Sequence, residues 1–209
     1  PYLLLEASDA VGGRVRTDSV DGFRLDRGFQ VLLTAYPEVL RVVNIEMLEL
    51  GCFYPGALVA CDGGLHRVAD PWRHPLDALR SAASPVGTLA DKLLVWHLRR
   101  RARAGSLDDL FGRPEQSTIS ALKADGFSDV MIERFFRPFL GGIFLDKELV
   151  TSSRMLEFVF RMFSLGDTAL PAGGMQAIPD QIASRLSVGS IRLGERVMGA
   201  GPGRVELEG

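Results

Sequence analysis

The spacing of apolar and polar positions changes period several times along the chain, and each change predicts an element. Leu3-Leu4-Leu5, closed by Glu6, is a short continuous apolar run, the pattern of a strand covered on both faces as in a parallel sheet. The loop 7–14 carries turn chemistry and two glycines. Val20 to Leu25 and Gln30 to Leu33 read as short strands around the loop Asp26-Arg27-Gly28. Pro37 then opens a helix whose apolar positions Val39, Leu40, Val43, Met47 and Leu48 fall near one face. From Cys52 to Val68 the pattern returns to strands, with Asp62-Gly63-Gly64 as a hairpin turn.

Pro71, Pro75 and Pro85 punctuate 71–85. Beyond them Leu89, Leu93 and Trp96 mark a helix that ends in Arg99, Arg100, Arg101 and Arg103. Helical segments follow near 117–125, 128–137 and 152–164, with Pro138, Gly141-Gly142 and Thr151-Ser152-Ser153 as the expected stop and start signals. Pro171-Ala172-Gly173-Gly174 is a tight turn. Met175, Ile178, Ile182, Ala183 and Leu186 then recur at helical spacing, with Pro179 either in the first turn or at a kink. Ile191-Arg192-Leu193 and Arg196-Val197-Met198 are expected strands, and Val205-Glu206-Leu207 starts another. The class is α/β (α+β overall), in three stretches: 1–51, 52–170 and 171–209.

A hydrophobic content of 46% allows a sizeable core, and 24 basic against 26 acidic residues leave no general pull toward nucleic acid. Cys52 and Cys61 are too few for a disulfide framework, and with His66 they match no zinc spacing; two buried thiols are expected and no metal site. No apolar run reaches the roughly 18 residues of a spanning helix. No nucleophile elbow accompanies His66, His74 or His97, which argues against a Ser-His-Asp hydrolase. The arginine run reads as solvated cations complementing a helix C-terminus. A lipid surface or an anionic substrate is its alternative reading.

Glu6 at the end of an apolar strand is where a doubly wound fold places an acid that accepts from both hydroxyls of a ribose; a solvated strand-end acid is the plainer reading. Gly12-Gly13-Arg14 shifts the balance. Adjacent glycines let backbone N–H groups approach a phosphate, and an arginine beside them adds a forked cation. Phe135, Phe136, Phe139, Phe144, Phe158, Phe160 and Phe163 make the later helical region aromatic, as core or as the lining of an apolar cavity.

The run Leu5-Glu6-Ala7, then Gly12-Gly13-Arg14-Val15-Arg16-Thr17, then Gly22-Phe23-Arg24-Leu25-Asp26-Arg27-Gly28-Phe29, resembles the superfamily of flavin-containing amine oxidases, protoporphyrinogen oxidases and phytoene desaturases. The Leu170-Pro171-Ala172-Gly173-Gly174-Met175 turn is similar to a P-x-G-G-M turn of its desaturase and protoporphyrinogen-oxidase branch. The resemblance implies FAD as cofactor. Glu6 would bind the ribose, Gly12, Gly13 and Arg14 would run beside the pyrophosphate and flavin, and Asp26 and Gly28 would lie beside the flavin with Gln30 and Val31 close behind. Val197 would contact adenine through its backbone.

It further implies a Rossmann-like, doubly wound cofactor portion whose first strand and glycine loop would precede Pro1, with the helical section as an inserted substrate-binding region. The chain would then be an interior piece of a larger flavoprotein, expected to bind FAD poorly by itself. The implied activity is hydride removal from a C–N or C–C bond of a hydrophobic small molecule. No catalytic residue is identified, because the flavin-facing lysine of some amine-oxidase branches would fall beyond Gly209. A cytoplasmic location with a peripheral membrane contact is expected. Rival readings are a non-catalytic nucleotide-binding or interaction module, distinguished by the lack of bound flavin, and an NAD-linked dehydrogenase, against which the Gly-Gly-Arg run argues.

Overall fold

The structure, a computed structural model, describes residues 2–28, 31–69, 73–74 and 84–209. In chain order the strands are β1 (Leu4–Glu6), β2 (Thr17–Val20), β3 (Phe23–Asp26), β4 (Leu32–Leu33), β5 (Leu50–Cys52), β6 (Gly56–Cys61), β7 (Gly64–Ala69), β8 (Thr168–Pro171), β9 (Ile191–Leu193), β10 (Val197–Gly201) and β11 (Arg204–Leu207). The helices are α1 (Pro37–Val42), α2 (Leu89–Arg103), α3 (Leu107–Phe111), α4 (Thr118–Ala124), α5 (Asp129–Met131), α6 (Arg137–Phe144), α7 (Ser153–Leu165) and α8 (Ala177–Ala183). They belong to two compact units, 1–53 with 167–209, and 54–166. The expected strand start at Gln30 and the punctuating Pro71 and Pro75 lie outside the described residues.

In the first unit β1 pairs in parallel with β9, Leu4 opposite Ile191 and Glu6 opposite Leu193. The expected cover on both faces is not there. Leu3 is 49% and Leu4 43% exposed, because among the described residues these two strands form a sheet by themselves. Val20 to Leu25, expected as one strand, is instead split between the arms of the β2–β3 hairpin. Asp21 (φ 50°) and Gly22 (φ 82°) make the turn, and positive φ at both central residues is what a twisted two-residue hairpin needs.

β8 is the centre of an antiparallel sheet in the order β4-β8-β5. A small core of Leu32, Val43 and Leu48, with Val39, Ile178 and Ala177 against it, lies in this unit. The helix from Pro37 is shorter than expected. It stops at Val42, and Val43 is extended. Asn44 supplies the reason: its backbone N–H donates to Gln181 Oε1 (2.7 Å), its carbonyl accepts from Gln181 Nε2 (2.9 Å), and its side chain accepts from the Glu46 N–H (3.1 Å). Those bonds replace helical ones, and Leu40 and Met47 are left facing solvent.

In the second unit the β6–β7 hairpin turns at Asp62 (φ 50°) and Gly63 (φ 75°). Its Val59, Cys61 and Val68 pack on a helical core that includes Leu98, Leu122, Met131, Phe136, Leu140 and Leu156. α2 covers the predicted span, yet its marker positions are on the outer face: Leu89 and Leu93 are 67% and 66% exposed, while Asp91, Leu98 and Ala102 are buried. Pro138 and Gly141-Gly142 do not interrupt the chain of helices. A π-helical turn, Ile132–Phe136, joins α5 to α6. Pro138 falls in the first turn of α6, directly after that π-helical turn. The stop comes at Leu145, in the left-handed region at φ 54°.

Two further expectations are corrected. Cys52 is exposed and Cys61 only half-buried. The arginine run is not simply solvated: Arg101 is bidentate to Asp125 (2.8 and 2.6 Å) and donates to Glu157 (2.7 Å), Arg99 reaches the Ser164 carbonyl (3.4 Å), and Arg100 lies over the Trp96 ring at 5.7 Å. Among the described residues no helix is long and apolar enough to cross a membrane.

Candidate functional site

The carboxyl ends of two parallel strands are where an open α/β sheet leaves a crevice for ligands, and β1 and β9 end side by side. The Glu195 N–H donates to the Glu6 carbonyl (2.9 Å) and the Gly194 N–H to the Ser8 carbonyl (3.0 Å). Glu6 Oε1 accepts from the Ser8 N–H and lies 2.8 Å from Ser8 Oγ as well. The backbone bond first, then the hydroxyl, hold this carboxyl below the ordinary glutamate range. Glu6 is therefore an anion at neutral pH. Both Ser8 bonds fall on Oε1, and the Ala7 backbone N–H lowers the carboxyl further.

The glycine turn follows. Gly12 (φ 112°) and Gly13 (φ 50°) both have backbone conformations that a side chain strains, and Gly13 begins a 3-10 turn through Val15. The two differ in surroundings. A Cβ on Gly12 would stand 3.0 Å from Pro179 Cγ and 3.2 Å from Gln176 Oε1, whereas one on Gly13 would meet nothing within 4 Å. As first-turn groups, the N–H of Gly13 and of Arg14 have no acceptor inside the turn. Arg14 is exposed and has no ion-pair partner among the described residues. Arg16, by contrast, is paired with Asp9 and lies 3.5 Å from Asp18. Its hydrogen bond is the main reason that the Asp9 carboxyl titrates low.

Asp26 ends β3, and Gly28 follows it into close contact with the glycine turn. A Cβ on Gly28 would be 2.2 Å from the Arg14 carbonyl oxygen, so no larger residue fits this crossing. Asp26 Oδ1 accepts from Thr17 Oγ1 and from the Met175 N–H (3.1 Å), and Thr17 Oγ1 in turn accepts from the Gln176 N–H (2.9 Å). Gln176 Nε2 donates to the Val11 carbonyl (3.0 Å) and to Asp180 Oδ1 (2.7 Å). Gly174, at φ 82°, passes so near that a Cβ would lie 2.6 Å from Thr17 Oγ1.

Three segments far apart in sequence thus meet: the glycine turn, Asp26 to Gly28, and the turn after β8. Val31, half-exposed, precedes β4; Val197 opens β10 opposite Leu207, two residues past Glu195. Gln30 lies outside the described residues. Gln176 is not among the candidate residues of the sequence. Its only signal was a polar residue sandwiched between a glycine pair and the start of an apolar helix.

A family model, flavin containing amine oxidoreductase, matches residues 1–199. The chain belongs to this family. The cofactor class that goes with it is a flavin. A search of curated proteins finds no match. Among solved structures, the chain is similar to a protein of Exiguobacterium sp. 255-15 provisionally named a protoporphyrinogen oxidase, at 19% identity and a TM-score of 0.57, over 99% of this chain and 50% of that one. Wild-type putrescine oxidase bound to putrescine is similar at 21% identity and a TM-score of 0.53, over 93% of this chain and 45% of that one. A triple variant of putrescine oxidase redesigned in cofactor binding gives 19% and 0.54 over the same shares. At such identities the likeness speaks for the fold, a mixed helix-and-sheet flavin-oxidase fold, of which this chain spans about half the length.

In this chain the phenylalanines of the second unit contact one another. Phe136 is fully buried and meets Phe127, Phe135 and Phe160 at centroid distances of 4.8, 5.3 and 6.0 Å. Phe139 stacks on Phe135 (5.4 Å) and touches Phe163 (5.5 Å). Phe158 meets Phe111 at 5.7 Å. A solvent-open cavity of about 610 Å³ in this unit is bounded instead by Glu133, Arg137, Pro138, Gly141, Gly142, Leu145 and Lys147.

Proposed function

We propose that the protein is an FAD-dependent oxidoreductase that removes hydride from a C–N or C–C bond of a hydrophobic small molecule, in the manner of the desaturase and protoporphyrinogen-oxidase branch. The observation that carries this reading is the ionised Glu6 carboxylate at the carboxyl edge of β1 and β9, in the same unit as the glycine turn and Arg14, which has no ion-pair partner among the described residues. This donor and acceptor set suits a dinucleotide. An ionised carboxylate has about four lone-pair sites with which to accept from ribose hydroxyls. First-turn N–H groups and a forked cation favour phosphate.

Unit 1–53 with 167–209 is the cofactor-binding part in this reading, and 54–166 the substrate region. Bound flavin would supply the two-electron acceptance that no side chain provides. The chain's own residues bind and orient it: Glu6 the ribose, Gly12 to Arg14 the pyrophosphate, Asp26 and Gly28 the path beside the ring system, and the backbone at Val197 the adenine. The half-buried file of Phe135, Phe139 and Phe163 would present an apolar wall to substrate.

The test is flavin content and affinity of the full-length protein. We expect near-stoichiometric flavin absorbance in the wild type, and Glu6→Ala or Arg14→Ala to weaken FAD binding about tenfold to a hundredfold, the worth of one or two charge-assisted bonds. Absence of flavin, or preference for NAD, would overturn the proposal. A flavin-bearing protein indifferent to both substitutions would overturn the assigned roles.

A further inference from the structure

Gln176 has an uncommon environment. Its Oε1 is buried and is the one such side-chain atom without a hydrogen-bond partner among the described residues. Its Nε2 is engaged twice, with Val11 and Asp180, so turning the amide over would place an oxygen against two acceptors and cannot cure the defect. Unsatisfied buried acceptors are costly and persist where surrounding structure holds them. The surrounding structure here is explicit. The Gln176 N–H is held by Thr17, Thr17 by Asp26, and Asp26 also holds the neighbouring Met175 N–H.

The consequence falls on the glycine turn. Val11 directly precedes Gly12, and the bond from Gln176 Nε2 fixes its carbonyl. Oε1 and Pro179 Cγ then close one side of Gly12, leaving the opposite course of the turn to Gly13 and Arg14, whose surroundings are open. We infer that Gln176 is a cofactor-positioning residue: by clamping the Val11 carbonyl it holds the Gly12-Gly13-Arg14 turn so that the Gly13 and Arg14 N–H groups, which have no acceptor inside the turn, and the guanidinium face the dinucleotide. This rests on the flavin-binding reading above and deepens it.

A merely structural role and a positioning role separate in Gln176→Met. Methionine matches the length, removes the unpartnered acceptor and loses the clamp, so loss and relief offset in folding while the turn is freed. Expected in the full-length protein are a Tm within about 4 °C of wild type, an FAD dissociation constant raised about tenfold, and a changed visible circular dichroism of residual bound flavin. A second variant, Asp180→Asn, keeps the Val11 bond and should leave FAD affinity within about twofold. If wild type binds flavin and Gln176→Met binds it with equal affinity and the same dichroism, this inference is wrong while the functional reading stands; if wild type binds no flavin, both are wrong. A large Tm loss that accompanies weakened binding, without any change in the spectrum of bound flavin, would also overturn it in favour of a structural role.

Discussion

At the scale of single residues, what matters is how little room some positions leave. Gly28 and Gly13 belong to one site and look equivalent in sequence, yet alanine should act on them differently. At Gly28 the new Cβ would press on a backbone carbonyl at 2.2 Å, and backbone cannot swing aside as a side-chain tip can. At Gly13 there is space and the penalty is conformational. Gly28→Ala should cost about 2–3 kcal/mol by overpacking and Gly13→Ala about 1 kcal/mol, as read from paired urea unfolding curves; equal losses would contradict the crossing of these segments.

Asp91 makes a second residue-scale case. Its carboxylate is 1% exposed and accepts from the Thr88 N–H and Oγ1 (2.6 and 2.7 Å) and the Ser128 N–H and Oγ (2.8 and 2.7 Å). Burial opposes the charge, but these four bonds together outweigh it and keep the carboxyl below its ordinary value of 3.8. A folded-state value below the unfolded one stabilises above pH 3.8 and ceases to do so as pH falls through the folded value. Asp91→Asn should therefore cost at least about 2 kcal/mol at neutral pH, with the gap to wild type steady down to about pH 4 and narrowing below; unfolding curves at pH 7, 5 and 3 measure it.

Elements show where local chemistry and regional pattern disagree. The β2–β3 hairpin was legible in principle, since Asp21-Gly22 is a favoured two-residue turn; reading Val20 to Leu25 by hydrophobicity alone concealed it. The same chemistry at Asp62-Gly63 is legible because a longer alternating pattern flanks it. Gly141-Gly142 points the other way: a Cβ on Gly141 would make only ordinary contacts and one on Gly142 would meet nothing, so neither position requires glycine or a stop. The stop, Leu145, carries no sequence mark and bears backbone strain while 87% exposed. Leu145→Gly should relieve that strain at little loss of packing, stabilising the protein by about 0.5–1 kcal/mol. A lower Tm for this variant would show that Leu145 is held by contacts it does not make in this structure.

Across the molecule, charges far apart in sequence decide how the helices of the second unit are joined. Glu157 of α7 is buried and takes hydrogen bonds from Arg101 of α2 and from Arg113, while Arg113 also donates to the Arg101 carbonyl (3.1 Å). Asp125 first, and then Glu157, raise the Arg101 value further. Removing the central carboxylate leaves two partly covered guanidiniums facing each other. Glu157→Gln should cost about 2–3 kcal/mol, less than a fully buried pair because Arg101 keeps Asp125 and some solvent. Suppression of that loss by Arg113→Met would confirm the coupling in a double-mutant cycle.

By itself the sequence determined the elements whose signals are local: the β1 run ending in Glu6, the Asp62-Gly63 hairpin, the helix from Leu89, and the glycine turn with its arginine. Those depend on backbone preference and on period, which neighbouring residues carry. Only the tertiary structure decided which face of α2 is buried, why α1 ends at Val42, and that Thr17, Asp26 and Gln176 draw the glycine turn and the turn after β8 together. These are contacts across as many as 165 positions of chain, and no local pattern encodes the partner of a hydrogen bond that only folding brings within reach.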